Sequence, residues 1–232
     1  MSVHCLISVR GSAAVPGVLP PNETGELLHA LEYSALRRSR AGARHVLSHP
    51  AVARVAKDQR LLGIACEVLG PEAFAFRATL FDKSPTANWL VAWHQDTALP
   101  LRERRETAGW GPWSVKDGVH YAHAPATALE QVLALRLHLD DSTLENGPLR
   151  VLPGTHTLGV LSDEAIHGIA SASAAGPEDC LIDAGGIVAM RPLVIHASSK
   201  SRTEMPRRVL HIEYAAHERI AGELEIAVDG KR

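Results

Sequence analysis

From Ala73 onward the chain is written in short runs of β-branched, aromatic and alternating residues: roughly Phe74 to Phe81, Trp89 to Trp93, Leu133 to Leu139, Leu149 to Leu152, Asp179 to Ile182, Ile187 to Met190, Leu193 to His196 and Arg208 to Tyr214. Glycine and proline punctuate the intervals. Many short strands separated in this way fold as a sandwich or a rolled barrel, because an isolated pair of strands cannot bury a face alone. The first third reads differently. After a short, extended lead-in ending at Val15-Pro16-Gly17, Asn22 or Thr24 is placed to cap a helix through Tyr33, and an apolar periodicity from about Val52 to Leu69 stops at Gly70-Pro71. At 232 residues and 46% hydrophobic composition the chain is long enough to bury one large core. The expectation is mainly β structure with flanking helices, a single domain over 1–232 in which helices of about 22–70 buttress β structure of about 73–216.

The formal net charge is −2, and Lys and Arg are scattered apart from short groups such as Arg102 to Arg105, so the chain lacks the basic face of a nucleic-acid binder. Cys5, Cys66 and Cys180 are odd in number, far apart and without a C-x-x-C pair, which fits a reducing compartment. No apolar run approaches the ~18 residues that span a bilayer, and Val3 to Val9 is too short and interrupted for a secretion signal. The expected location is the cytoplasm, with neither nucleic acid nor membrane as partner.

Chemistry concentrates in His94-Gln95-Asp96 and in His196. On a strand, residues two apart face one side, so His94 and Asp96 project together while Gln95 points away. Leu193-Val194-Ile195 reads as an apolar strand delivering His196 at its end. Two imidazoles and one carboxylate, once brought together, occupy one face of an octahedron and leave the rest open, the ligand set of a non-haem Fe(II) oxygenase. H-x-D alone is common by chance and is often a surface hydrogen-bonded pair; the third donor on a buried strand is what distinguishes this chain. Arg207 can grip a carboxylate through two parallel hydrogen bonds, as the far end of 2-oxoglutarate requires. Alternation puts it on the face of Val209 and His211, with a solvated pair beside Arg208 as the competing reading. Ser198, two residues beyond His196, shares that histidine's face and offers a hydroxyl. His120, His123, His138, His156 and His211 lack matching donors and read as structural, and the cysteines read as small core residues. The interval from Thr97 to Thr127 shows little periodicity and follows two of the donors directly, so it reads as a loop closing over the site. On it, Trp110 and Trp113, with Tyr121 and His123, are candidates for a substrate wall, or else packing residues that hold the loop.

These blocks resemble the phytanoyl-CoA dioxygenase family of Fe(II)/2-oxoglutarate-dependent oxygenases. The resemblance rests on Trp93-His94-Gln95-Asp96, on Leu139-Asp140-Asp141 through Glu145-Asn146-Gly147-Pro148-Leu149 to Leu152-Pro153-Gly154-Thr155-His156, on Arg191-Pro192-Leu193 to His196-Ala197-Ser198, and on Arg207-Arg208, spanning about Phe74 to Ala215. It implies a double-stranded β-helix, a cupin-like jelly roll with helices on one side. It implies His94, Asp96 and His196 as iron ligands, Arg207 on the distal carboxylate of 2-oxoglutarate with Ser198 assisting, and Thr79 and Arg136 as further co-substrate contacts where relatives often carry Met and Trp. Asn146-Gly147 and Pro153-Gly154 read as turns that shape the barrel. The implied cofactors are Fe(II), 2-oxoglutarate and O2, and the implied reaction is hydroxylation of a small-molecule substrate with release of succinate and CO2. Because Asp96 is present, the vacated carboxylate position of halogenating relatives is not implied. No basic cluster near the motifs is suited to the phosphates of a long-chain acyl-CoA, which favours a small metabolite. Three readings stay open beside this one: a cupin-like metalloenzyme that does not use 2-oxoglutarate, a non-catalytic jelly-roll binding protein, and a hydroxylase of a peptide. The sequence is silent on oligomeric state and pathway.

Overall fold

The computed structural model describes residues 1–34, 36, 38–39, 42–84, 87–173 and 176–230. The larger of its sheets has seven strands in the order Ser12–Val15, Ile187–Met190, Val132–His138, Arg207–Ala215, Phe74–Lys83, Gly42–Ala43 and Arg38–Ser39. A smaller sheet has four, in the order Glu178–Asp179, Leu149–Val151, His196–Ser198 and Val91–His94. Neighbours in both are antiparallel and, apart from Arg38–Ser39 beside Gly42–Ala43, far apart in sequence, so the chain crosses repeatedly between the sheets and rolls them into a jelly roll.

Strand alternation sorts the large sheet into two unlike faces. Leu133, Leu135, Leu137, Leu210, Ile212 and Leu80 point to one side and pack against the helices Val3–Arg10, Pro21–Glu32, Pro50–Ala56 and Gln59–Leu69. The last of these helices shows why the layer forms. Leu61, Ala65 and Val68 are buried along one stripe, the Asp58 side chain caps the start by accepting from Arg60 N, and Gly70, at φ 102°, ends it. The opposite face of the sheet carries Arg77, Thr79, Lys83, Arg136, His138, Arg207, His211 and Glu213, which look toward the small sheet. Between the sheets, Ala134, Val188, Met190, Leu149 and Val151 close one end with apolar packing, and the other end remains polar.

Several elements differ from the sequence expectation. The lead-in is helical over Val3–Arg10, capped by Ser2 and stopped by Gly11 in the left-handed region. The second helix begins at Pro21 with no side-chain cap, because a proline at the first helical position is already set at the helical φ. The long periodicity through Leu69 is two helices, broken at Lys57-Asp58. Residues 191–195 form a turn, with Val194 N donating to Arg191 O at 3.2 Å, so His196 opens its strand instead of ending one. The interval after Asp96 holds a three-stranded sheet, Ala98–Leu101, Val119–His123 and Trp113–Lys116. Its hairpin turns at Asp117-Gly118, both with positive φ, the residue pair favoured by a tight two-residue turn. A further helix, Asp163–Ala172, is capped by Ser162 and covers Ile195 and Leu152 through Ile166.

Tyr214 ties the helical layer to the sheet: its ring is fully buried and its hydroxyl donates to Ala56 O at 2.8 Å. Tyr214→Phe leaves that carbonyl buried without its partner and should lower stability by about 1–3 kcal/mol in urea unfolding. An unchanged midpoint would show that the bond contributes nothing.

Candidate metal centre

His94 ends one strand of the small sheet and His196 begins its neighbour, and the two stand directly opposite in the pairing. Their rings lie 4.1 Å apart, tilted by 51°. Asp96 is held just beyond the strand, where its backbone N donates to Pro192 O at 2.9 Å. Its carboxylate approaches His94 Nε2 at 3.7 Å and His196 Nε2 at 3.5 Å. One donor atom from each residue lies within 4.8 Å of the others, the one such cluster of three found among the described residues.

Hydrogen bonds set the tautomers. His94 Nδ1 lies 2.8 Å from Ala92 O and His196 Nδ1 lies 2.9 Å from Val194 O. A carbonyl only accepts, so each Nδ1 carries a proton and each Nε2 is turned toward Asp96. Electrostatics agree. Burial, reinforced by His94, holds His196 down at about 4 despite the pull of Asp96, so its imidazole is neutral at pH 7. Burial acts to raise Asp96, but His196, His94, His211 and Arg77 outweigh it and hold the carboxyl at about 2. A neutral His196 imidazole and an ionised Asp96 carboxylate are the protonation states a divalent cation needs. The donor set, with both Nε2 atoms already aimed inward, fits Fe(II).

Gln95 points the other way, as alternation requires. Its amide donates to Gly159 O at 2.9 Å and Leu193 O at 2.8 Å, while its Oε1 accepts from Leu161 N at 2.9 Å. The residue between two candidate ligands thus clamps their segment to the turn that precedes His196.

The same cavity, about 390 Å³, is bordered by Thr79, Arg136, Ser198 and Arg207. Arg207 is 5% exposed; its Nε donates to Asn146 O at 3.2 Å and its Nη2 to Ser198 Oγ at 3.3 Å. Arg208 turns outward to Asp140 and Glu32, which disposes of the solvated-pair reading of its neighbour. Ser198 Oγ donates to Gly147 O at 3.0 Å. That loop can approach so closely because residue 147 is glycine: its φ is +66°, and a Cβ there would lie 2.3 Å from Ser199 O. Burial and the nearby Arg136 lower the Arg207 guanidinium to about 10. Arg136, also buried, donates to the Nδ1 of a neutral His211 at 3.1 Å, and its Nε has no partner among the described residues.

Sequence reasoning missed Lys83 and Trp89. Lys83 stands opposite Arg207 in the sheet, is 1% exposed, and donates to Ser198 Oγ at 2.8 Å and to Ser199 O. Burial, then Arg207 and Arg136, lower its ammonium to about 7. The available signal was parity, since Lys83 is four residues from Thr79 on one strand. Trp89 lies on the Lys83 ammonium, with its ring 5.5 Å away, and borders the cavity. Trp110 and Trp113 are placed elsewhere. Trp110 is buried with Leu99, Leu101 and Ile226 and donates from Nε1 to Glu223; Trp113 packs on the same cluster, and neither borders the cavity. Of the other two aromatic candidates, His123 borders the cavity, joined to Thr97 Oγ1 at 2.6 Å, and Tyr121 is buried behind its wall.

A family model described as phytanoyl-CoA dioxygenase matches residues 9–209. An L-proline trans-4-hydroxylase from Streptomyces griseoviridis is 27% identical over 186 residues, covering 70% of this chain and 62% of the relative. An ectoine dioxygenase from Sphingopyxis alaskensis is 30% identical over 107 residues, covering 46% of this chain and 28% of the relative. The matched regions thus span less than two thirds of either relative. The crystal structure of EctD from S. alaskensis in its apo form superposes with a TM-score of 0.70 at 19% identity, over 100% of this chain and 85% of that one. The shared fold is the double-stranded β-helix.

Gln95→Leu removes three hydrogen bonds from buried and half-buried backbone groups and should cost about 2–4 kcal/mol of stability. It should also weaken binding of a divalent ion by ~10–100-fold, as loss of an orienting partner does. Calorimetric titration of the folded variant with Ni(II) checks this; wild-type affinity would show that the clamp does not orient the donors.

Proposed function

The chain belongs to the phytanoyl-CoA dioxygenase family of Fe(II)/2-oxoglutarate-dependent oxygenases, and from that premise we propose that it hydroxylates a small molecule, with His94, Asp96 and His196 holding Fe(II). The observation that carries the reading is one cavity with two unlike parts: an imidazole and carboxylate cluster, and beside it Arg207, Lys83 and Arg136, converging with no carboxylate among the described residues that faces all three. Three buried cations so arranged are costly unless an anion joins them. The distal carboxylate of 2-oxoglutarate is that anion, with Arg207 and Lys83 as its charged donors, Ser198 as the pivot that holds both, and Arg136 and Thr79 bordering the remainder. When bound, the metal and co-substrate supply oxidation of a C–H bond by O2, with succinate and CO2 as co-products. The chain's own part is placement: Phe81, Val91 and Leu149 border the same cavity and keep it partly apolar, which excludes water from the reacting groups. A cavity of about 390 Å³ suits a co-substrate with a compact second reactant, and relatives named for proline and ectoine support that size class.

Iron-dependent, O2-dependent conversion of 2-oxoglutarate to succinate tests the reading. His196→Ala should abolish it. Arg207→Ala should raise the dissociation constant for 2-oxoglutarate at least ~30-fold, the cost of removing one partner of a buried charge pair; an unchanged constant would favour a metalloenzyme that does not use 2-oxoglutarate.

A pH dependence follows from Lys83. Its ammonium is lowered to about 7 in the free protein, and a bound carboxylate favours the charged form and raises it again. Affinity for 2-oxoglutarate should therefore be greatest below pH 7 and fall as pH rises above it, with proton uptake on binding in that window. Calorimetry in buffers of different ionisation enthalpy reads the uptake; Lys83→Met should abolish it, and equal uptake in the variant would assign the proton to another group.

A further inference from the structure

Lys83 and Arg77 lie on one strand and one face, six residues apart, or ~20 Å at the usual rise. A five-carbon dicarboxylate spans only ~5 Å between its terminal carbons at ~1.5 Å per bond, so a co-substrate anchored at Lys83 leaves the Arg77 end of the cavity free. Two more cations, Arg44 and Lys116, border that end. Arg77 is answered by a two-pronged pair with Glu213. No ion pair joins Arg44 or Lys116 to a carboxylate among the described residues.

The segments that carry both cations are held in place. His45, next to Arg44, bonds through Nδ1 to Asp229 Oδ1 at 2.7 Å, and Asp229 Oδ2 accepts from Ala78 N at 3.0 Å, which pins the segment to the large sheet. Lys116 precedes the tight Asp117-Gly118 turn and lies over the buried Tyr121 ring at 4.9 Å; the Arg77 guanidinium lies 5.5 Å from the same ring. Burial, then Arg44 and Arg77, push the Lys116 ammonium below its ordinary value. Arg44, Lys116 and Arg77 thus share this wall with Glu213, Asp96 lies within the field of Arg77, and an added anion would relieve the repulsion among the three cations.

We propose that Arg44 and Lys116 seat an acidic group of the primary substrate, a carboxylate or a phosphate, so that the enzyme oxidises small acids rather than their neutral counterparts. The proposal rests on the oxygenase reading of the cavity. It assigns the two ends to different anions, the co-substrate's distal carboxylate at Lys83 and Arg207 and the substrate's acid at Arg44 and Lys116. The metal donors border the same cavity.

The test titrates L-proline, benzoate and phenyl phosphate, each beside its uncharged-end counterpart (L-proline methyl ester, methyl benzoate and phenol), into protein loaded with Ni(II) and saturated with 2-oxoglutarate. Binding is read by calorimetry, which needs no turnover. At least one acid should bind tenfold or more tightly than its counterpart. The Arg44→Ala/Lys116→Ala double variant should lose that preference while its 2-oxoglutarate affinity changes less than twofold. A preference confined to phenyl phosphate, or to the two carboxylates, identifies which acid the site takes. Equal binding of acids and counterparts across the panel, or a preference that survives in the double variant, overturns the proposal. Failure of 2-oxoglutarate itself to bind, with acid preference intact and sensitive to the double variant, would instead overturn the co-substrate reading and leave the acid site standing.

Discussion

The direct pairing of His94 with His196 across two antiparallel strands is the constraint on which the rest of the site depends. It brings residues a hundred positions apart into ring contact using backbone hydrogen bonds alone. Each ring is then locked by its own Nδ1 bond to a carbonyl two residues back, so orientation and tautomer come from the same local geometry. Asp96 needs only to leave the strand at the right point, and its backbone bond to Pro192 sets that point. The centre is therefore rigid because its supports are main-chain, apart from the Gln95 clamp.

The large sheet does a second job. One face is apolar and fused to the helices; the other carries successive rows of charge. Lys83 pairs with Arg207, four residues away along the strand Thr79 pairs with His211, which Arg136 meets from its other side, and beyond that Arg77 meets Glu213. Such a face would be unstable in an ordinary core, where unpaired charge is expelled. Here the helical layer supplies the burial while the inner face is left for ligands. The two kinds of stabilisation are separated across a single sheet thickness.

Much of this was legible in the sequence because it depends on parity. Arg207 with His211 follows from alternation, which the fold preserves, and Ile187–Met190 reads as a strand from its short apolar run; Asp96 comes together with His94 although the strand ends at His94. The glycine at 147 was readable as a turn, though its close approach to Ser199 O was not. What failed depended on tertiary partners. A helix over Val3–Arg10 has little amphipathic pattern and forms because Ser2 and Gly11 cap it and Ile7 reaches the core. Trp110 and Trp113 were drawn toward the site by proximity in sequence, yet the strands of that interval turn them into a separate apolar cluster. The Asp117-Gly118 pair was a usable hairpin signal in a segment otherwise without periodicity. Lys83 was hidden by an ordinary context at a strand end, and only its register opposite Arg207 reveals it.

The most direct test of the account is an anaerobic titration of the metal-free protein with Fe(II) and then 2-oxoglutarate, following the weak visible absorption that the co-substrate gives when chelated to iron. The account predicts that the band appears at one equivalent of each in the wild type and is absent in His94→Ala. Bound iron without the band on adding saturating 2-oxoglutarate would contradict it.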